Sequence, residues 1–209
     1  MLAAGATSAD AKPTFLALGD SYTIGEGVVA SGRWPNQLAA ALHLAPPEII
    51  ARTGWTTDEL AAAMDVHIFH PPYALVTLLI GVNNQYRGRD LGNYRNEFRA
   101  LLQRAIELVG SEPQRVVVVS IPDWGVTRFG RGSGRDLAQV AREIDAYNAA
   151  NVEIATMLRV RYADVTATSR DGGDHSDMLV GDGLHPSAAM YTRWLDAIKP
   201  AATAALSSH

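Results

Sequence analysis

Residues 14–27 read TFLALGDSYTIGEG. An apolar run of strand length, residues 14–18, stops abruptly at Gly19-Asp20-Ser21, and Gly25 and Gly27 follow within six residues of the serine. Gly, Asp and Ser are ordinary turn residues, so a polar turn would explain the triplet. A serine held for chemistry at the end of a buried strand would explain it too. The decision between the two rests on what the rest of the chain puts beside that serine.

Apolar runs like this one alternate along the chain with longer segments of helical period. The further strand candidates are EIIA (48–51), ALVTLLI (74–80), RVVVVS (115–120) and RYADVT (161–166). They are too continuously apolar to have one wet face, which predicts a parallel sheet covered on both sides. Between them, PNQLAAALHL opens a helix at Pro35, and TTDELAAAM carries Thr56 with Glu59 three residues on, the capping-box pattern. In residues 91–109, Tyr94, Phe98, Leu101, Leu102 and Ala105 share one helical face; in residues 135–158 the predicted stripe is Leu137, Val140, Ile144, Tyr147 and Val152. A last helix, predicted to begin at Pro186, should bend or break near Pro200. The order is β-α repeated five times. That pattern predicts one doubly wound three-layer α/β/α domain with a five-stranded parallel sheet over residues 13–209, behind a disordered tail over residues 1–12.

Bulk properties agree with one globular domain: 209 residues, 47% hydrophobic and 19% charged, without internal repeats or low-complexity linkers. A formal net charge of -4 with no cluster of Lys and Arg excludes a nucleic-acid partner. Zero cysteines exclude disulfides, thiolate catalysis and Cys-ligated metals. The apolar runs are far below the ~20 residues of a membrane-spanning helix. The first residues, MLAAGATSADAKPT, lack a basic region followed by a long apolar one, so they do not read as a secretory signal. The expected location is cytoplasmic by default, or exported if the chain is a trimmed mature form.

In open α/β sheets, ligands bind beyond the carboxyl ends of the strands. The segments there are GDS after the first strand, RTGWTT after the second, GVNNQYRG after the third and the polar stretch 167–185 after the fifth. Acyl transfer needs a serine, an imidazole to take its proton and a carboxylate to orient the imidazole. DGLHP supplies Asp182 and His185, three residues apart. A developing oxyanion needs donors, and the amides of Ser21 and Gly54 and the side chain of Asn83 are candidates.

Four blocks in this order resemble the SGNH superfamily of hydrolases, also called GDSL esterases and lipases: Gly19-Asp20-Ser21-Tyr22, Gly54, Gly81-Val82-Asn83-Asn84 and Asp182-Gly183-Leu184-His185-Pro186. The resemblance implies a flavodoxin-like strand order 2-1-3-4-5. It also implies Ser21 as nucleophile, His185 as base, Asp182 as its orienter and Ser21, Gly54 and Asn83 as the oxyanion hole, with no cofactor or metal. Two departures from the family pattern stand out. Tyr22 replaces the leucine of the GDSL name, and Asn84 stands where the third block usually has Asp. Asp20 is read as a structural carboxylate holding the turn.

The implied activity is hydrolysis of a small-molecule acyl ester. Trp55, Tyr86 and Trp124 are the candidates for a shallow aromatic wall suited to short acyl chains, and the loop IPDWGVTRFGRGSG (121–134) is a candidate wall of the pocket or else a surface excursion. Lysophospholipase or thioesterase activity is the alternative within the fold. A carbohydrate- or lipid-binding module on a dead hydrolase fold is the alternative outside catalysis. Other motifs carry less. His67 and His70 have helical spacing, but Pro71 and Pro72 follow and no third ligand is evident, so no metal site is expected. DGGDHSD (171–177) lacks EF-hand spacing and reads as a solvated loop. Neither the P-loop nor the G-x-S-x-G pattern is satisfied around Ser21.

Overall fold

The structure, a computed structural model, describes residues 11–173 and 175–207; the expected tail over residues 1–12 falls almost wholly outside them. The apolar runs form strands β1 (Phe15–Gly19), β2 (Glu48–Ala51), β3 (Leu75–Leu79), β4 (Val116–Val119) and β5 (Arg161–Ala163). All pairings are parallel, in the order β2-β1-β3-β4-β5. Every residue of β1, β3 and β4 is buried, which is why these runs carry no polar alternation.

The helices are α1 (Ser21–Ile24), α2 (Trp34–Ala41), α3 (Thr57–Val66), α4 (Val82–Tyr86), α5 (Leu91–Leu108), α6 (Arg128–Gly132), α7 (Leu137–Met157), α8 (Thr166–Gly172) and α9 (Ala188–Leu206). On one side of the sheet α2 packs against α9; on the other, α3 meets α5 and α5 meets α7. The capping box at Thr56 and Glu59 is formed, and the predicted apolar face of α5 is the buried one. α1, α4, α6 and α8 are one or two turns long, too short for any periodicity to reveal.

Three expectations are corrected. The fifth strand stops at Ala163, three residues early, because the Asp164 carboxylate accepts from Thr166 N at 2.8 Å and from Ser120 Oγ at 3.1 Å and turns the chain out of the sheet. On α7, Val152 is 42% exposed and the buried stripe runs instead through Asn148 and Asn151. Their oxygens are paired: Asn148 Oδ1 receives Ile121 N at 2.8 Å, and Asn151 Oδ1 receives the Tyr94 hydroxyl at 2.8 Å. The last helix starts at Ala188, capped by Ser187, and runs unbroken through Pro200. Pro200 lies on the exposed face, where water can take the carbonyl its missing N–H leaves free, while Trp194, Ile198, Ala202 and Ala205 anchor the helix on both sides.

β1 lies between β2 and β3, so the chain leaves it in one direction and returns on the other side. This is the switch point at which such sheets open a crevice. Ser21 stands directly above it.

Candidate active site

The turn at Ser21 depends on close packing. A Cβ at Gly19 would come within 2.4 Å of Leu79 O and closer still to Thr23 Oγ1, so only glycine lets the ends of β1 and β3 meet there. Asp20 then caps α1, its Oδ1 accepting from Tyr22 N at 3.0 Å. Trp34 Nε1 donates to Tyr22 O at 3.0 Å and clamps the same turn. Ser21 is the first helical residue, and its N–H has no partner within the helix. The residue is 5% exposed.

Asp20 is fully buried, and desolvation raises its carboxyl from 3.8 to about 7 against the opposing pull of the Tyr22 and Asp20 amides. The folded protein therefore holds a proton on Asp20 that the unfolded chain releases near pH 4. Stability is lost as pH rises from about 4 to about 7, by on the order of 4 kcal/mol for this group. Asp20→Asn removes the titration, so its unfolding free energy should fall less than the wild type's between pH 4.5 and 7.5 in urea titrations. An unchanged difference between the two pH values would sink this assignment.

Gly54 follows β2 with φ at +88°, a conformation that side chains strain. Its carbonyl accepts from Arg87 Nη2 at 2.6 Å, which fixes that peptide. Asn83 and Asn84, about 100° apart on α4, point different ways. Asn83 borders the crevice, with Nδ2 donating to Trp55 O at 2.9 Å and a second N–H on the same nitrogen left over. Asn84 is buried, receiving Thr57 N at 3.1 Å and donating to Thr57 Oγ1 at 2.7 Å. Where the family pattern has Asp, this amide holds the start of α3 against α4.

Between α8 and α9, the Asp182 Oδ1 accepts from Leu184 N at 2.8 Å and His185 N at 3.0 Å, while Oδ2 meets His185 Nδ1 at 2.6 Å. Partial burial works against the carboxylate, but the ring of His185 and the two amides outweigh it and hold Asp182 below the usual carboxylate range. Val180 N donates to His185 O at 2.9 Å and ties the loop back on itself. With Nδ1 engaged by the carboxylate, Nε2 is the nitrogen free to exchange a proton.

These parts meet at one cavity of about 210 Å³, lined by Ser21, Gly54, Asn83 and His185 together with Thr53, Tyr22, Val82, Tyr86, Trp124, Phe129 and Leu184. Of the residues expected in the site, all but Asp182 and Trp55 border it, and Asp182 reaches it through His185. Trp55 does not: its side chain packs on the core, and only its carbonyl serves the site, through Asn83. Phe129 takes its place in the wall. It comes from the glycine-rich loop after β4, which folds as a single turn (Trp124–Val126) followed by α6, with Phe129 N donating to Gly183 O at 3.0 Å. His67 caps the end of α3 and meets Glu48 Oε1 at 2.5 Å, so it shares no helical face with His70. Among the described residues no cluster of His, Cys, Asp or Glu could hold a metal ion.

The sequence pattern of the GDSL-like lipase/acylhydrolase family matches residues 17–193. The chain belongs to that family. Among curated proteins none matches the sequence. Solved structures share the fold of this GDSL-like hydrolase at low identity. TesA is 22% identical with a TM-score of 0.68, the match covering 90% of this chain and 97% of TesA. The psychrotrophic esterase EstA from Pseudoalteromonas sp. is 17% identical with a TM-score of 0.69, covering 94% of this chain and 100% of EstA. Phospholipase A1 from Streptomyces albidoflavus NA297 is 18% identical with a TM-score of 0.66, covering 92% and 99%. An esterase and a phospholipase on one fold leave the substrate to be argued from the cavity. No helix of the described residues is long and apolar enough to cross a membrane.

Proposed function

We propose that this GDSL-like hydrolase is a carboxylic ester hydrolase for short acyl chains, working through an acyl-enzyme. The observation that carries the reading is the convergence of Ser21 and His185 on one cavity, with Asp182 on the other ring nitrogen at 2.6 Å. The Ser21 oxygen attacks the ester carbonyl carbon as His185 Nε2 takes its proton. The tetrahedral oxyanion receives hydrogen bonds from the amides of Ser21 and Gly54 and from Asn83 Nδ2. His185 returns the proton to the departing alkoxide, and a water activated by the same nitrogen then releases the acid and Ser21.

The size of the cavity supports the chain-length part of the reading. At about 210 Å³ it lies below the roughly 300–1,000 Å³ usual for drug-sized ligands, and Tyr86, Trp124 and Phe129 close one side. A chain that fits gains about 0.8 kcal/mol per CH₂ buried; carbons beyond the wall gain nothing. With p-nitrophenyl esters from acetate to palmitate, below micelle-forming concentrations, kcat/KM should peak at short chains and fall steeply beyond about eight carbons. A maximum at long chains would replace this reading with a lysophospholipid-type substrate.

A further inference from the structure

The aromatic wall of the cavity is pinned from its far side by a run of polar side chains. Trp124, 1% exposed, donates its indole N–H to Gln85 Oε1 at 2.8 Å. Gln85, 2% exposed, uses its other end as well, Nε2 donating to Glu143 Oε2 at 2.7 Å. The second oxygen of Glu143 accepts from Gln139 Nε2 at 2.8 Å. The Gln85 amide is thereby committed at both ends. Turned over, it would set NH₂ against the indole N–H and its oxygen against a carboxylate. Tyr86, the neighbouring wall, is held likewise: Arg135 stacks on its ring at 4.1 Å and donates to its carbonyl at 2.9 Å, and the ring meets Trp124 edge-on at 5.3 Å.

We propose that Gln85 is the positioning residue that sets the acyl-chain limit, by fixing Trp124 as the end wall of the acyl cavity. The proposal rests on the ester-hydrolase reading above and adds to it the device that makes the limit sharp. Indole and phenol rings in an apolar pocket can usually tilt to admit another carbon. Here a tilt of Trp124 would leave a buried N–H and a buried amide oxygen without partners, so the ring stays where it is. Gln85→Leu keeps the bulk and removes the acceptor. The indole N–H must then turn to find another partner or water, and the wall moves with it.

The test is the ratio of kcat/KM for p-nitrophenyl octanoate to that for the acetate, in wild type and variants of known folding state by thermal unfolding. Gln85→Leu should raise the ratio by roughly tenfold or more, since each CH₂ newly housed is worth about fourfold. Glu143→Ala, which frees one end of the Gln85 amide, should raise it by about threefold, and carries the test if Gln85→Leu does not fold. Trp124→Phe has no indole N–H to satisfy, so it should raise the ratio by itself, and adding Gln85→Leu to it should change the ratio less than about twofold. A ratio that stays put in both Gln85→Leu and Glu143→Ala overturns the proposal. So does a full Gln85→Leu effect in the Trp124→Phe background, or a shift that follows the length of the leaving alcohol instead of the acyl chain. A wild type without activity on any ester defeats the hydrolase reading and this proposal together; an active wild type with an immovable ratio defeats this proposal alone.

Discussion

Ser21→Ala should reduce ester turnover by roughly 10⁶-fold, the scale on which loss of a serine nucleophile acts in other hydrolases, while leaving the protein folded. The two halves of that expectation have separate grounds. The loss follows because the cavity offers the acyl group no other free aliphatic hydroxyl: Thr53 is already bonded to Glu26, and the remaining hydroxyls of the lining are the phenols of Tyr22 and Tyr86. The retained fold follows because the turn does not lean on the Ser21 hydroxyl. It is held by Asp20 Oδ1 accepting from Tyr22 N, by Trp34 Nε1 on Tyr22 O and by Gly25 N on Ser21 O, at 3.0 Å each. Ser21 is buried, but removing a hydroxyl that none of these contacts uses costs at most about 1 kcal/mol. Circular dichroism and turnover should therefore separate, and an organophosphonate should label wild type but not the variant. Turnover near wild type in a folded Ser21→Ala protein would end the nucleophile assignment.

Much of this site is legible in the sequence because its parts sit at places that local rules mark. Gly19-Asp20-Ser21 ends a run of unbroken apolar residues, and Asp182 and His185 are close enough in the chain to pair without help from the fold. The strand periods place both at the same edge of the sheet. The wall is less legible. Phe129 lies in a glycine-rich stretch with no period, and it is placed by tertiary contacts alone, its amide reaching Gly183 O and its ring packing on Tyr86 and Trp124. Trp55 and Trp124 look alike in sequence, each an aromatic residue in a loop after a strand. Only tertiary packing separates them: both rings pack on the core, but Trp124 also borders the cavity and Trp55 does not. Gln85 has no sequence signal at all. A glutamine on a five-residue helix reads as a solvated side chain until Trp124 and Glu143, 39 and 58 residues away, are brought to its two ends.

Asn83→Ala should lower kcat by roughly 10²–10³-fold with a smaller change in KM, the usual consequence of removing one oxyanion donor. The adjacent variant is the control that gives this its meaning. Asn83 borders the cavity and keeps one N–H beyond its bond to Trp55 O; truncation leaves that carbonyl, at the half-buried edge, within reach of water, so little stability should be lost. Asn84 is the reverse: fully buried, it pairs with both Thr57 N and Thr57 Oγ1. Asn84→Ala leaves a buried amide without an acceptor, which costs about 1–3 kcal/mol, and so should lower the unfolding temperature with a much smaller effect on kcat. Asn83→Asp sharpens the contrast. It preserves size but turns the donor into an acceptor that faces both Trp55 O and the incipient oxyanion, and its kcat should fall at least as far as that of Asn83→Ala. Steady-state kinetics and thermal unfolding of the three variants give the comparison. If Asn84→Ala proved the more damaging to kcat in a protein that remains folded, the oxyanion would be served from the other side of α4 and the roles of the two asparagines would have to be exchanged.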